Sequence, residues 1–427
     1  MTIFEDPVSP FTIAVADDVL DDLRRRLAGA QFARYSGPDP WEGGVTAEWL
    51  RGLVDHWQHK FDWRAVEGRL NAYPQFLVRL DDRQLHFVHV RGARNAAGGA
   101  PVPLVLSHGW PSSFAEMLRV VGPLTDPLSH GLDASITFDV VIPSLPGFTF
   151  SQPMRERFTR AAVGELWHRL MTEVLGYDRF ALFGGDIGGG VSRELASRHP
   201  DSVLGLFTNH APFPGEFDPP PTPAEQAYLD AVEAYDRSDG GYSEIMRTRP
   251  HTLAAALADS PVGLAAWIAD KLHDWTDHDG DFEAVWDRES LLTLVMLYWV
   301  TGCIGTSFLP YFHHGHNGAR HAVTVPTGVL VSAEPSEAGL PRSIVERAAT
   351  DLRYWRGRRP VGTSSPSNGP RSWWRSCGAS SARYAADHAV DVPARPECAF
   401  GLVPANSTSS KLTFAWLRGP GNQSCGG

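Results

Sequence analysis

The stretch Phe183-Gly-Gly-Asp-Ile-Gly-Gly-Gly constrains the fold more than any other part of the chain. It continues the short apolar run Phe180-Ala-Leu and leads into Val-Ser-Arg-Glu-Leu-Ala-Ser-Arg, a helical pattern. Small residues on both sides of one polar residue, set between a strand and a helix, have the construction of G-x-S-x-G, the elbow that lifts a serine clear of a sheet. Gly184 and Gly188 take the two small positions and Asp186 the apex. Asp186 then has two readings. An aspartate at the head of a helix is a favoured N-cap, because its carboxylate accepts orphan backbone N–H bonds. The flanking glycines favour the other reading, a carboxylate exposed on a strained turn.

An elbow needs a parallel sheet behind it, and the surrounding sequence supplies one. Pro103-Leu-Val-Leu, Phe138-Asp-Val-Val-Ile-Pro and Phe180-Ala-Leu-Phe read as buried strands, separated by helical patterns over 113–123 and 160–175. Continuous apolar strands alternating with helices predict a parallel sheet covered on both faces. Its sites belong at the C-terminal strand ends, where Ser107-His-Gly-Trp-Pro and Gly184-Gly-Asp fall.

Upstream, 18–27 predicts a helix with Val19, Leu20, Leu23 and Leu27 on one face, and Trp49 to Trp63 predicts a second. Phe76-Leu-Val-Arg-Leu and Gln84-Leu-His-Phe-Val-His-Val predict two strands joined at Asp81-Asp82-Arg83. Downstream, Pro219-Pro-Pro-Thr-Pro opens a mainly helical stretch to about His316, which reads as an inserted cap, and strand character returns over Ala322 to Val331. The predicted organisation is an N-terminal region over 1–100, a core in two parts over 101–215 and 321–356, a helical cap over 216–320, and an aberrant tail over 357–427.

Composition narrows the class. The 427 residues, with 14 Trp and 21 Phe, suit a densely packed globular protein, and a net charge of -11 without basic blocks argues against a nucleic-acid binder. The longest apolar stretch, Leu294 to Val300, is far short of the ~20 residues that span a bilayer. The acidic N-terminus lacks a signal-peptide pattern, so a cytoplasmic location is expected. Cysteines 303, 377, 398 and 425 show neither metal-type spacing nor a disulfide framework. The run His313-His314-Gly-His316 reads as a solvated loop before it reads as a metal site.

Together the motifs resemble the microsomal-type epoxide hydrolase family of α/β-hydrolases. The resemblance runs through Pro40-Trp-Glu-Gly-Gly-Val, Trp57-Gln-His-Lys-Phe-Asp-Trp-Arg, Glu67-Gly-Arg-Leu-Asn and Leu85-His-Phe-Val-His. It continues through His108-Gly-Trp-Pro, Gly184-Gly-Asp-Ile-Gly, Gly241-Tyr-Ser-Glu-Ile-Met-Arg-Thr-Arg-Pro, Asp259-Ser-Pro-Val-Gly-Leu-Ala-Ala-Trp-Ile and Val325-Pro-Thr-Gly, covering about 10 to 355. It implies an α/β-hydrolase fold with an N-terminal extension and a helical cap. The implied chemistry explains the carboxylate: Asp186 attacks an epoxide carbon, and water then cleaves the ester at its carbonyl carbon, whereas a serine would leave a stable ether.

The resemblance also implies Tyr242 and Tyr311 as hydrogen-bond donors to the epoxide oxygen. Pro310 and the histidine run depart from the pattern around Tyr311. The Trp110 and Ile187 N–H groups are the expected oxyanion donors. The acid that orients the water-activating histidine is Glu334, allowing one missing residue in the turn, or Glu337 in Pro-Ser-Glu. No metal or organic cofactor is implied. The expected partners are a small apolar epoxide and water, with a homodimer as one option for assembly.

The catalytic histidine is absent: no Gly-Gly-His-Phe motif follows Tyr354-Trp-Arg, and composition changes abruptly there. Three of the four cysteines lie beyond this junction. Reading each codon's third base with the next codon's first two offers an explanation. Gly362 as GGC and Thr363 as ACT yield CAC, histidine, and permitted codons through Ser381 spell Gly-Gly-His-Phe-Leu-Ala-Leu-Glu-Arg-Pro-Glu-Val-Leu-Val-Glu-Glu-Leu-Arg-Gly-Phe-Phe. Trp373-Trp374 leaves no codon freedom and gives Val. A frameshift from about Gly357 is therefore expected, and with it alkylation of Asp186 without turnover. Two other readings stand beside this one: a haloalkane dehalogenase-like hydrolase, against which Ile187 stands where a halide-holding Trp is expected, and an inactive paralogue that binds apolar epoxides.

Overall fold

The three apolar runs at the centre of the chain form adjacent strands, and the glycine elbow lies at the C-terminal end of one of them. The computed structural model describes residues 8–33, 41–81, 83–276, 278, 280–331 and 335–356, with the backbone of 399–405 and 411–415. One mixed sheet holds β1 (Val8–Phe11), β2 (Gln75–Leu80), β3 (Arg83–Val90), β4 (Val102–Ser107), β5 (Phe138–Pro143), β6 (Phe180–Gly184), β7 (Val203–Thr208), β8 (Thr327–Leu330) and β9 (Leu352–Arg356). Their order is β1-β2-β3-β5-β4-β6-β7-β8-β9. The stretch from β5 to β9 is parallel, and β1, β2 and β3 extend it as an antiparallel ribbon. Every residue of β5 is buried, as a strand covered on both faces requires.

The N-terminal helices are α1 (Asp17–Ala28), α2 (Ala47–His59) and α3 (Trp63–Asn71). Leu20, Leu23 and Leu27 of α1 are buried, while Val19 is half-buried. The single helix expected over Trp49 to Trp63 is broken. Asp62 accepts from the N–H groups of Arg64 and Ala65 at 2.9 and 3.3 Å, which caps a new helix where the apolar spacing alone reads as continuous. The sheet is flanked by α4 (Phe114–Thr125), α5 (Arg160–Arg169), which ends in a π turn over Leu170–Val174, and α6 (Asp186–Arg198).

The insertion after β7 is helical throughout: α7 (Pro223–Asp239), α8 (Gly241–Thr248), α9 (Pro250–Asp259), α10 (Pro261–Trp275), α11 (Phe282–Val285), α12 (Arg288–Thr301), α13 (Ile304–Ser307) and α14 (Leu309–Phe312). Two sets of contacts fix it. Glu225 of α7, fully buried, binds Arg347 of α15 (Arg342–Ala348) at 2.8 Å and the Ser343 hydroxyl at 2.8 Å. On the other side Arg26 reaches Asp259, Trp49 donates to Glu283, and Arg288 donates to the Gly52 carbonyl.

Three strands of the main sheet escaped the sequence pattern. Gly205 dilutes the apolar run of β7, and β1 and β9 are short edge segments. Of the strand expected over Ala322 to Val331, only Thr327–Leu330 joins the sheet as a strand, with Val323 making an isolated bridge to Ala349. In the tail expected to be irregular, β10 (Ala399–Ala405) and β11 (Lys411–Ala415) pair antiparallel; Lys-Leu-Thr-Phe-Ala alternates polar and apolar residues, the strand period. The remainder of 357–427, with the expected frameshift junction, lies outside the described residues. Among the described residues no single helix is long and apolar enough to cross a membrane.

Candidate active site

The sheet order reverses at β4, which lies between β5 and β6, and the crevice of an open α/β sheet sits at such a switch point. Ser107 of β4 is in register with Gly184 of β6, so the His108-Gly-Trp-Pro turn and the elbow emerge side by side. His108 is a buried structural group. Its Nε2 accepts from the Leu145 N–H at 3.1 Å and its Nδ1 faces the Gly109 carbonyl at 3.0 Å, while burial pulls its pKa down to about 4. A neutral imidazole thus holds the turn's shape.

Asp186 is not an N-cap. Gly185 occupies the cap position, and Asp186 is the first residue of α6, with φ at 50° in the left-handed region that L-residues adopt only under constraint. Its Oδ1 accepts from the Trp110 N–H at 2.8 Å, and the Ile187 N–H also bonds the carboxylate. Two glycines make this approach possible. A Cβ on Gly109 would collide with Asp186 Oδ1, and one on Gly188 with the Ser107 and His108 carbonyl oxygens.

Burial raises the pKa of Asp186 above the ordinary carboxylate value. Opposing it are His210, the two backbone donors and Arg160. The start of a helix also favours a negative charge. The group is therefore an ionisable carboxylate held in a poorly solvated place, more basic than a solvated aspartate.

A cavity of about 340 Å³ opens over Asp186. Phe158, Ile187 and Pro310 give it an apolar wall, and Tyr311 faces it; the exposed Glu244 and Arg247 mark its solvent side. The cap brings Tyr242 of α8 and Tyr311 of α14 together, with ring centroids 6.2 Å apart. Both pack on Trp110, at 6.1 Å for Tyr242 and 5.8 Å for Tyr311. Residues distant in sequence thus converge on one aromatic cluster beside the elbow.

Of the two candidate acids, Glu334 lies outside the described residues. Glu337 is buried, accepts from the Ala211 N–H at 2.8 Å, and stands 3.3 Å from His210 Nδ1. Sequence reading missed two groups that face the cavity, His210 and Arg160. The available signal for His210 was its place two residues beyond a strand end, beside the elbow; β7 itself went unrecognised. The histidine run is not a uniform solvated loop. His313 Nδ1 accepts from the Phe158 N–H at 3.0 Å, and His314 lines the cavity with Arg160.

Comparison with known proteins identifies the family and the fold. A family profile described as epoxide hydrolase N terminus matches residues 8–117, and one for the alpha/beta hydrolase fold matches 102–240. An epoxide hydrolase homologue of Stigmatella aurantiaca (strain DW4/3-1) is 37% identical over 356 residues, covering 82% of this chain and 79% of its own length. Epoxide hydrolase 1 of Oryctolagus cuniculus is 32% identical over 354 residues, covering 76% of this chain and 78% of its own. Among solved structures, the epoxide hydrolase of Aspergillus niger superposes with a TM-score of 0.66 at 28% identity, over 82% of this chain and 89% of that one. The juvenile hormone epoxide hydrolase of Bombyx mori shares the fold, with a TM-score of 0.70 at 24% identity over 83% and 89% of the two chains.

Proposed function

Because the chain belongs to the epoxide hydrolase family of the α/β-hydrolase fold, we propose that Asp186 is the nucleophile that opens a small epoxide and becomes an ester in doing so. The observation that carries this reading is the placement of Asp186: an ionisable carboxylate on the elbow, at a cavity, facing two backbone donors. One carboxylate oxygen attacks a ring carbon; the C–O bond of the ring breaks, and the ring oxygen takes a proton. Tyr242 and Tyr311 are the proposed donors to that oxygen, a role supported by their convergence over Trp110. The apolar part of the epoxide would rest on Phe158, Ile187 and Pro310.

In the second step water adds to the ester carbonyl carbon. The carbonyl oxygen is then one of the oxygens Asp186 already holds, so the Trp110 and Ile187 N–H groups that bind the carboxylate are the natural donors to the oxyanion. With the Gly-Gly-His-Phe motif missing from the sequence, this step is proposed to be the slow one. A short incubation with styrene oxide is expected to add one epoxide mass to the Asp186 peptide, in a burst that approaches one equivalent, before any comparable quantity of diol appears. Immediate multiple turnover with no accumulating adduct would overturn this order of rates.

The burst rate should fall as the solution is acidified. Only the ionised carboxylate attacks, and the raised pKa moves its protonation to a higher pH than that of a solvated aspartate. A profile flat down to the ordinary carboxylate range would contradict the buried environment. Tyr242→Phe and Tyr311→Phe are each expected to slow adduct formation by about 10²-fold, the scale of losing one preorganised donor to a developing oxyanion. Stopped incubations with mass detection measure both. Unchanged rates in the double variant would remove the tyrosines from the mechanism.

A further inference from the structure

We propose that His210, braced by Glu337, serves as a substitute general base that releases the ester slowly in a chain without the family histidine. This rests on the reading of Asp186 as nucleophile. Three observations place His210 for the task. It lines the cavity together with Asp186, Ile187 and Tyr311. It is close enough to Asp186 to stabilise that carboxylate electrostatically. Its Nδ1 stands 3.3 Å from the buried Glu337 carboxylate, the arrangement that orients an imidazole and stabilises its protonated form.

The position of the ring is built into the sheet. The Thr208 hydroxyl, at the end of β7, lies 2.8 Å from both the Gly184 and His210 carbonyls and accepts from the His210 N–H at 3.0 Å. Glu337 is in turn anchored by the Ala211 N–H. Gly189, in the first turn of α6, lets the histidine approach: a Cβ there would lie 3.0 Å from that of His210. The backbone of His210 is thus fastened to the same strand end that carries Asp186.

With Nδ1 turned to Glu337, proton transfer falls to Nε2. Nε2 takes a proton from a water molecule as its oxygen bonds to Asp186 Cγ. The tetrahedral intermediate then collapses: the bond from Cγ to the alkyl oxygen breaks, and the imidazolium returns its proton to the departing alkoxide. Asp186 is left as a carboxylic acid with one oxygen from water; its ionisation releases a proton that balances the one taken up at ring opening, and the diol leaves. No oxidant or cofactor enters the balance. The charged and titratable groups around the histidine are Glu337 beside its ring and, lining the cavity with it, Asp186, Arg160, Asp236, Glu244, Arg247 and His314, the last held toward its neutral form by burial.

The test uses the full chain, alkylated with styrene oxide and then freed of it, with the mass of the Asp186 peptide followed over time across about pH 5 to 9, where an imidazole titrates. The adduct is expected to decay faster as pH rises through the imidazole range. His210→Gln should lengthen its life by about 10²-fold, a general base's ordinary contribution. Glu337→Gln should move the midpoint of the profile to lower pH, because it removes the charge that stabilises the imidazolium. Equal decay in His210→Gln and the parent overturns the proposal while leaving Asp186 as nucleophile. Should His210→Gln form no adduct, Glu337→Gln decides, and an unshifted profile overturns the role of the pair. Diol formed without any adduct in the parent overturns the slow release proposed here while leaving Asp186 as nucleophile; absence of both adduct and diol sinks the reading of Asp186, and this proposal with it.

Discussion

Asp186→Ala should leave a folded chain that takes up no epoxide mass at residue 186 and forms diol at no more than the uncatalysed rate. The expected loss in the alkylation step is roughly 10⁴-fold or more, the scale on which removal of a nucleophile is felt in hydrolases. Two effects on stability oppose each other. Alanine in the left-handed conformation that Asp186 adopts costs about 1–2 kcal/mol, whereas removing a poorly solvated carboxylate relieves a desolvation cost. Circular dichroism and thermal unfolding therefore separate lost chemistry from a lost fold. Retained alkylation elsewhere in the cavity would show that another carboxylate does the work.

The second large effect concerns the end of the chain. Replacing residues 361–427 by the peptide read in the shifted frame supplies Gly-Gly-His-Phe and a helical segment in place of the present sequence. Steady-state diol formation is expected to rise by about 10²- to 10⁴-fold, the contribution of a positioned general base, and the burst of adduct should shrink as ester hydrolysis catches up. Steady-state diol assays with styrene oxide, set beside adduct mass, measure both. A rebuilt chain that still accumulates one equivalent of ester would mean that the missing histidine was not what limited turnover. Codons around residues 357 to 381 that cannot encode the peptide would remove its premise.

What the sequence disclosed followed how local each signal is. The elbow, the His108-Gly-Trp-Pro turn and the two cap tyrosines each sit in a contiguous motif, so Asp186, Trp110, Tyr242 and Tyr311 were legible before any fold was known. The candidate acid was not, because it depends on the length of the turn after β8. That turn contains Glu334, outside the described residues, and Glu337, buried beside His210. His210 was illegible for a different reason. Nothing in Thr208-Asn-His-Ala marks the proposed base, and only the register of β6 against β7 brings it next to Asp186. The broken helix at Asp62 repeats the lesson at smaller scale, since apolar spacing alone does not register a capping carboxylate.

The collision found at Gly188 has a bearing on how such chains persist. A Cβ there would strike the Ser107 and His108 carbonyl oxygens, so the closeness of α6 to β4 depends on that glycine whether or not the enzyme turns over. The elbow is therefore answerable to folding as much as to catalysis. A lineage that lost its base would still be purged of substitutions at this glycine, because they would part the helix from the sheet. The presence of this glycine in a sequence therefore reports how helix packs on sheet and is no certificate of turnover.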